Sequence, residues 1–294
     1  MTRILVCLGF GLWRAPPGFR RALVEALAWW WWTVLRYRRR TVLANLSQAF
    51  PELSPAARRS LARDVFRHLV HLLVELLILP HQRGQGGFEA VGHTIGLEHF
   101  EQARAQGRGV LVAAGHLGSW EAAMCAAARH VLPAHIVVKV LPKWLERFVN
   151  DLRRSAGLSV LSEKNVLKHV LRALKRNETV VFVIDQNATR KLGVFVNFFG
   201  REASTLAGLA VVAARTRAPV VAAIAYRLED GQQVLAFTPE IPFEPKSTHD
   251  DTIRHMTQRY TEVIERAIRA HPAQWFWTHR RWKTQPKPKP KPNP

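Results

Sequence analysis

From residue 110 onward, short β-branched runs alternate with helical stretches, and this alternation restricts the fold more than any other feature of the chain. The runs are Val110–Ala113, His135–Val140, Thr179–Ile184, Val194–Phe198, Pro219–Tyr226 and Gln233–Phe237. Leu97–Gln106, Ser119–Arg129, Trp144–Ser155, Val166–Asn177 and Thr205–Thr216 read as helices around them, and a last helix runs from about Asp250 to Ala270. Strands that alternate with helices predict an α/β fold with a largely parallel sheet flanked by helices. The chain of 294 residues is long enough to bury such a core, and 48% apolar against 22% charged residues is a globular composition.

The first 80 residues read differently. Residues 20–46 and 55–79 are expected to be helices, the second with Ser54 as N-cap and Pro55 at its first position. The Gly-rich loop His81–Gly87 marks a boundary. The expected organisation is therefore helices over 1–80, an α/β domain over 81–285, and a disordered Lys/Pro tail over 286–294. Two apolar runs, Ile4–Trp13 and Ala22–Leu35, are shorter than the roughly 18 residues that a spanning helix needs. No small-residue cleavage site follows the first. Seven arginines besides Arg3 lie within residues 1–45 against Glu25 alone, and Trp29–Trp32 stand among them. Arginine beside tryptophan suits a helix at a membrane interface; a buried helix at the core edge is the alternative.

Lys plus Arg number 43 and Asp plus Glu 22, a net charge of +21. An acidic partner follows: nucleic acid, anionic lipid, a phosphorylated substrate or an acidic protein. The two cysteines, Cys7 and Cys125, exclude a disulfide framework and a Cys-rich zinc site. The 13 histidines are scattered without a His-Glu-x-x-His motif, so no metal site is expected. Neither a Walker A motif nor a Gly-rich dinucleotide turn is present.

In an open α/β sheet the site forms where strands end at their carboxyl edge. The run GVLVAA leads into Gly115-His116-Leu117-Gly118-Ser119-Trp120-Glu121. His116 leaves the strand and Glu121 opens the next helix, so the turn between them can bring the carboxylate back to the imidazole. Such a pair serves as base and orienter for hydroxyl activation; the spacing alone also arises by chance. No Ser or Cys stands in a nucleophile elbow, so the nucleophile would be the substrate's own hydroxyl. Asp185-Gln186-Asn187 ends a second strand, where a capping turn is the plain alternative. Arg201 precedes a stretch read as a helix N-terminus opening with Ser204 and Thr205, a candidate anion site or an ordinary cap. Arg153 and Arg154 are further candidates.

In this order, several motifs resemble those of the bacterial lipid A biosynthesis acyltransferases of the lauroyl/myristoyl type. They are Asn45-Leu46, Phe50-Pro51-Glu52-Leu53-Ser54, GHLGSWE, Asp185-Gln186, FFGREAST, the Ala-Pro-Val-Val at 218–221, and Gln274 to Trp282. The resemblance implies a glycerol-phosphate acyltransferase-like fold with an N-terminal helical membrane anchor. It implies acyl transfer from an acyl carrier protein thioester to a lipid hydroxyl at the inner membrane, on its cytoplasmic side. Such a reaction needs no cofactor beyond the thioester. It assigns His116 as general base with Glu121 as its partner, and adds Arg153 and Asp185 to the active site. Where the family often has an arginine near the end of the strand after the catalytic helix, Lys139 stands, an ammonium in place of a bidentate fork.

Lys139, Lys143, Arg147, Arg153 and Arg154 form the expected basic rim for an acidic donor, and Arg201 with Lys139, Arg154, Ser204 and Thr205 the expected contacts to an anionic acceptor. Another glycolipid or lysophospholipid acceptor is the nearest alternative. A non-catalytic basic protein binding membranes or nucleic acid is a remoter one, since its aromatics would interleave with Lys and Arg on one surface. Here the tryptophans gather near the chain ends, and no nucleic acid is expected.

Overall fold

The computed structural model describes residues 2–82, 92–138, 143–162 and 166–286. Lys139, most of the expected loop His81–Gly87 and all but the first residue of the expected tail lie outside these. Four helices come first: α1 (Thr2–Arg14), α2 (Pro17–Trp30), α3 (Arg39–Ala49) and α4 (Pro55–Ile78). Ser54 caps α4 by accepting from Ala57 N–H, as its sequence implies. The expected single helix over 20–46 is broken. The chain widens into a π-helical turn at Trp31–Leu35, then takes left-handed backbone at Arg36 (φ 54°) and Arg38 (φ 64°). Arg36 N–H closes that turn on Trp31 C=O, and the Arg39 guanidinium caps Trp32 C=O and lies over its ring. Caps of this kind are invisible to a periodicity argument.

The main sheet holds β1 (Gly92–Ile95), β2 (Val110–Ala114), β3 (Ala134–Val138), β4 (Ser159–Ser162), β5 (Thr179–Val183), β8 (Val220–Arg227) and β9 (Gln233–Phe237). Their order is β1-β9-β8-β2-β5-β3-β4. The sheet is parallel from β8 to β4, while β9 runs antiparallel to β8 and carries β1 parallel to itself. Helices α5 (Leu97–Ala105), α6 (Trp120–Val131), α7 (Lys143–Ser155), α8 (Val166–Lys175), α9 (Gly208–Thr216) and α10 (His249–Ala270) complete the fold.

The expected strand at Val194–Phe198 does not join this sheet. It is β6 (Gly193–Phe198), which pairs with β7 (Arg201–Leu206) in a separate antiparallel hairpin. The helix expected from Thr205 therefore begins only at Gly208, and Ser204 and Thr205 are strand residues. In β7 the consecutive residues Ala203, Ser204 and Thr205 are buried and two of them are polar, so its sequence, REASTL, does not announce a strand.

Alternation along the central strands separates two cores. Leu111, Ala113, Val180 and Phe182 face one side, where Leu46, Phe66, Leu209 and Tyr260 pack. Val110, Val112 and Val181 face the other, covered by alanines 122, 123, 127 and 128 of α6. Residues from both sides of the boundary expected at 80 share the first core. The helix after β2 thus covers one face, and the chain after β5 returns through α9 to the other. The crevice between neighbouring strands whose connections part in this way is where α/β sheets place ligands.

Candidate active site

Parallel register brings two strand ends together at that crevice. Ala114 of β2 pairs with Val183 of β5, so the residues two further on, His116 and Asp185, emerge side by side. The His116 Nδ1–H donates to Asp185 Oδ1 at 2.8 Å. The other oxygen, Oδ2, accepts from His116 backbone N–H at 2.6 Å and from Trp275 Nε1–H at 2.7 Å. The Asp185 side chain is wholly buried, while that of His116 keeps 23% of its surface exposed. Burial alone would raise the Asp185 carboxyl; the imidazole and these N–H donors outweigh it and bring the carboxyl down to about 2. The carboxylate stays ionised and fixes the tautomer that leaves His116 Nε2 with its lone pair.

The partnership expected between His116 and Glu121 is replaced in the structure. Glu121 accepts from Arg153, 2.5 Å from Nη2 and 3.1 Å from Nε, and Arg153 also donates to Asn150. The reason lies in the turn. Gly118 has φ +58°, and a Cβ there would stand 2.5 Å from Ala225 C=O. The loop is thereby pressed against β8, and in the first turn of α6 Trp120 borders the imidazole while Glu121 meets Arg153 of α7. Arg153, expected in the site, is buried and lines the cavity described below.

Of the remaining expected residues, Lys139 lies outside the described residues and the others are not gathered there. Arg154 is exposed and reaches Asp151 at 3.6 Å. Arg201 is exposed at the hairpin turn opposite Phe198. Ser204 and Thr205 are fully buried, and the guanidinium of Arg281 donates to Ser204 C=O and to Thr205 Oγ1. The helix N-terminal anion site expected at 201–205 is not formed, because Ser204 and Thr205 are strand residues paired with Phe195 and Val194, and their neighbour is the buried Arg281. Of the expected basic rim, Arg147 shares Asp151 with Arg154.

Three participants had no role in the sequence reading. Trp275 fixes Asp185; it belongs to a segment that pairs antiparallel with the loop carrying His116, with Phe276 N–H donating to His116 C=O and Gly118 N–H to Gln274 C=O. Arg281, also from this segment, is buried over the Phe198 ring; burial lowers its guanidinium to about 10 against the opposing pull of Asp185. Gln186 faces the His116 ring. The tryptophan-rich motif hinted at the first two, and the Asp185-Gln186 motif at the third.

His116 also lines an apolar cavity between α6 and the sheet. Trp120, Ala123, Met124, Ala127 and Val131 supply one wall, and Val112, Ile136, Val181 and Phe237 are among the strand residues opposite. Alanines on the inner face of α6 are too small to fill the layer, so the space stays open. From Trp120 to Val131 the wall runs about 16 Å, at about 1.5 Å per residue. Among the described residues no group of three His, Cys, Asp or Glu side chains is placed to hold a metal ion.

A polarised imidazole at a sheet switch point, beside a long apolar cavity, is a layout for chemistry on a hydroxyl and a fatty chain, and the chain is an acyltransferase. The family of bacterial lipid A biosynthesis acyltransferases matches residues 1–284, and this chain belongs to it. It is 29% identical to the lipid A biosynthesis lauroyltransferase of Escherichia coli, over 86% of this chain and 81% of the relative. The palmitoleoyltransferase of the same organism is 28% identical over the same shares. A phosphatidylinositol mannoside acyltransferase of Mycobacterium tuberculosis is 28% identical over 64% of this chain and 58% of its own length.

Proposed function

We propose that the enzyme moves a fatty acyl chain from an acyl carrier protein thioester to a hydroxyl of a lipid A precursor, with His116 as general base and Asp185 as its orienter. The observation that carries this reading is the Asp185–His116 pair opening onto the apolar cavity. The acyl chain enters the cavity beneath α6, and its thioester carbon rests near Nε2. Nε2 takes the proton of the acceptor hydroxyl as the oxygen attacks, and Asp185 stabilises the imidazolium that results. Arg153 and Glu121 bind each other and hold α7 against the first turn of α6, which frames the cavity.

The enzyme works at a membrane surface. No helix among the described residues is long and apolar enough to cross a membrane. Leu8, Phe10, Phe19, Trp29 and Trp30 are exposed on α1 and α2, in stretches that also carry Arg3, Arg14, Arg20 and Arg21. Val24 and Ala28 pack inward on Val70, Val74 and Ile78 of α4. This arrangement supports an interfacial seat with apolar side chains in the lipid and arginines at the headgroups.

The test is transfer by purified enzyme from an acyl carrier protein thioester to a lipid A precursor, read by mass spectrometry of the product. His116→Ala should lose about 10² to 10⁴ in rate; near-full turnover by the folded variant overturns the mechanism. A mannosylated phospholipid acceptor is the second reading, favoured by the mycobacterial relatives, and the same assay with a panel of acceptors decides between them.

A further inference from the structure

The acyl-transfer step leaves one requirement unmet by His116 and Asp185. Negative charge gathers on the thioester carbonyl oxygen as the hydroxyl adds, and a donor must meet it. Gln186 follows Asp185 directly and lines the same cavity as His116. Its Nε2 is 3.3 Å from His116 Nδ1 and 3.2 Å from His116 Nε2. A group so nearly equidistant from both ring nitrogens cannot lie in the ring plane, where it would run into Cε1–H. It therefore stands over the imidazole face. The Trp120 and Phe276 rings, 5.1 and 6.0 Å away by centroid, also border the imidazole.

Both hydrogens of that amide cannot be used on a π face. The lone pair of Nε2 points along the ring plane into the cavity, where the acceptor hydroxyl must come. The carbonyl carbon lies one bond beyond the attacking oxygen, and its own oxygen projects above or below the ring plane. On the Gln186 side, that oxygen is within reach of the amide. Asp185 is no competitor for the amide, since its oxygens are taken by His116 and Trp275.

We propose that Gln186 is a catalytic residue, the side-chain donor to the oxyanion of the tetrahedral intermediate. The inference rests on the acyl-transfer reading with His116 as base. In the step, the hydroxyl oxygen bonds to the thioester carbon and its proton passes to His116 Nε2. The π pair of the C=O moves onto oxygen, where the Gln186 N–H donates to it. On collapse the pair returns, the C–S bond breaks, and the imidazolium returns its proton to the departing thiolate. Atoms and charge balance with no further reactant.

Gln186→Met and Gln186→Glu keep the length of the side chain over the ring. The first has no donor; the second has one only when its carboxyl is protonated. Both are measured with the purified enzyme on an acyl carrier protein thioester and a lipid A precursor, beside His116→Ala and thermal melts. Expected is a fall of about 10² to 10³ in kcat for Gln186→Met with KM little changed, the usual effect of removing one such donor. For Gln186→Glu, kcat relative to wild type should rise as the pH is lowered and the carboxyl gains its proton. Wild-type kcat in the Met variant, or a Glu variant whose ratio to wild type is flat with pH, overturns the proposal while leaving His116 as base. A folded His116→Ala enzyme that retains full activity removes the reading beneath it instead. Should the Met variant melt out, the Glu variant's pH ratio decides alone.

Discussion

Asp185 and Glu121 both stand in space beside the loop that carries His116, and burial and partners divide their work. Asp185 faces the imidazole, so Asp185→Asn puts a neutral amide against Nδ1 and releases the tautomer. A loss of about 10² to 10⁴ in kcat is expected, with the fold retained, read by steady-state kinetics and a melt. Glu121 faces Arg153, with side chains 13% and 8% exposed. Removing either partner alone leaves an uncompensated charge and should cost about 3–5 kcal/mol of stability. The double variant Glu121→Gln/Arg153→Leu should recover much of that in chemical denaturation. A Glu121→Gln enzyme with intact stability but the kinetic deficit of Asp185→Asn would return Glu121 to the role of orienter.

Two helices carry predictions of their own. The open wall of α6 comes from alanines, so bulk added at Ala127, deep along the wall, should fill the cavity from the far end. Ala127→Leu is expected to shift preference toward shorter chains, measured by competition between acyl thioesters differing in length. An unchanged preference would place the acyl chain elsewhere. In α4 the imidazole of His68 is held at about 3, because burial penalises its charged form, and His71 at about 4 for the same reason. The unfolded chain binds protons at both from near pH 6.5 downward while the folded chain does not. Stability is therefore complete above about 6.5 and falls as the pH drops toward 3, by up to about 1.4 kcal/mol per pH unit for His68. His68→Gln should flatten that slope in pH-dependent denaturation.

Among the described residues most of the exposed large apolar side chains gather on α1, α2 and the turn after them, with Trp29 at 64% and Phe19 at 57%. Trp29→Ser/Trp30→Ser should weaken sedimentation with anionic vesicles without altering the melt, because neither ring is part of the core. Raised salt should weaken binding of the wild type only in part, since apolar burial persists when charge is screened. Vesicle binding unaffected by the double substitution would assign these rings to another contact.

The sequence alone determined where most elements lie. Strand runs such as Val110–Ala113 and Thr179–Ile184, and helices such as Pro55–Ile78, follow from local propensity, capping and period, which act within a few residues. It also determined that His116 and Asp185 stand at strand exits, since a strand's end is a local event. Which strands are neighbours is not local. Only the sheet order set β5 against β2, and only their register placed Asp185 beside His116, 69 residues away. The turn at Gly118 then sent Glu121 toward Arg153, and the chain's end returned to lay Trp275 against the carboxylate. These pairings arise from long-range packing, where the choice of partner depends on every layer being buried at once. A five-residue spacing such as that from His116 to Glu121 holds no record of it.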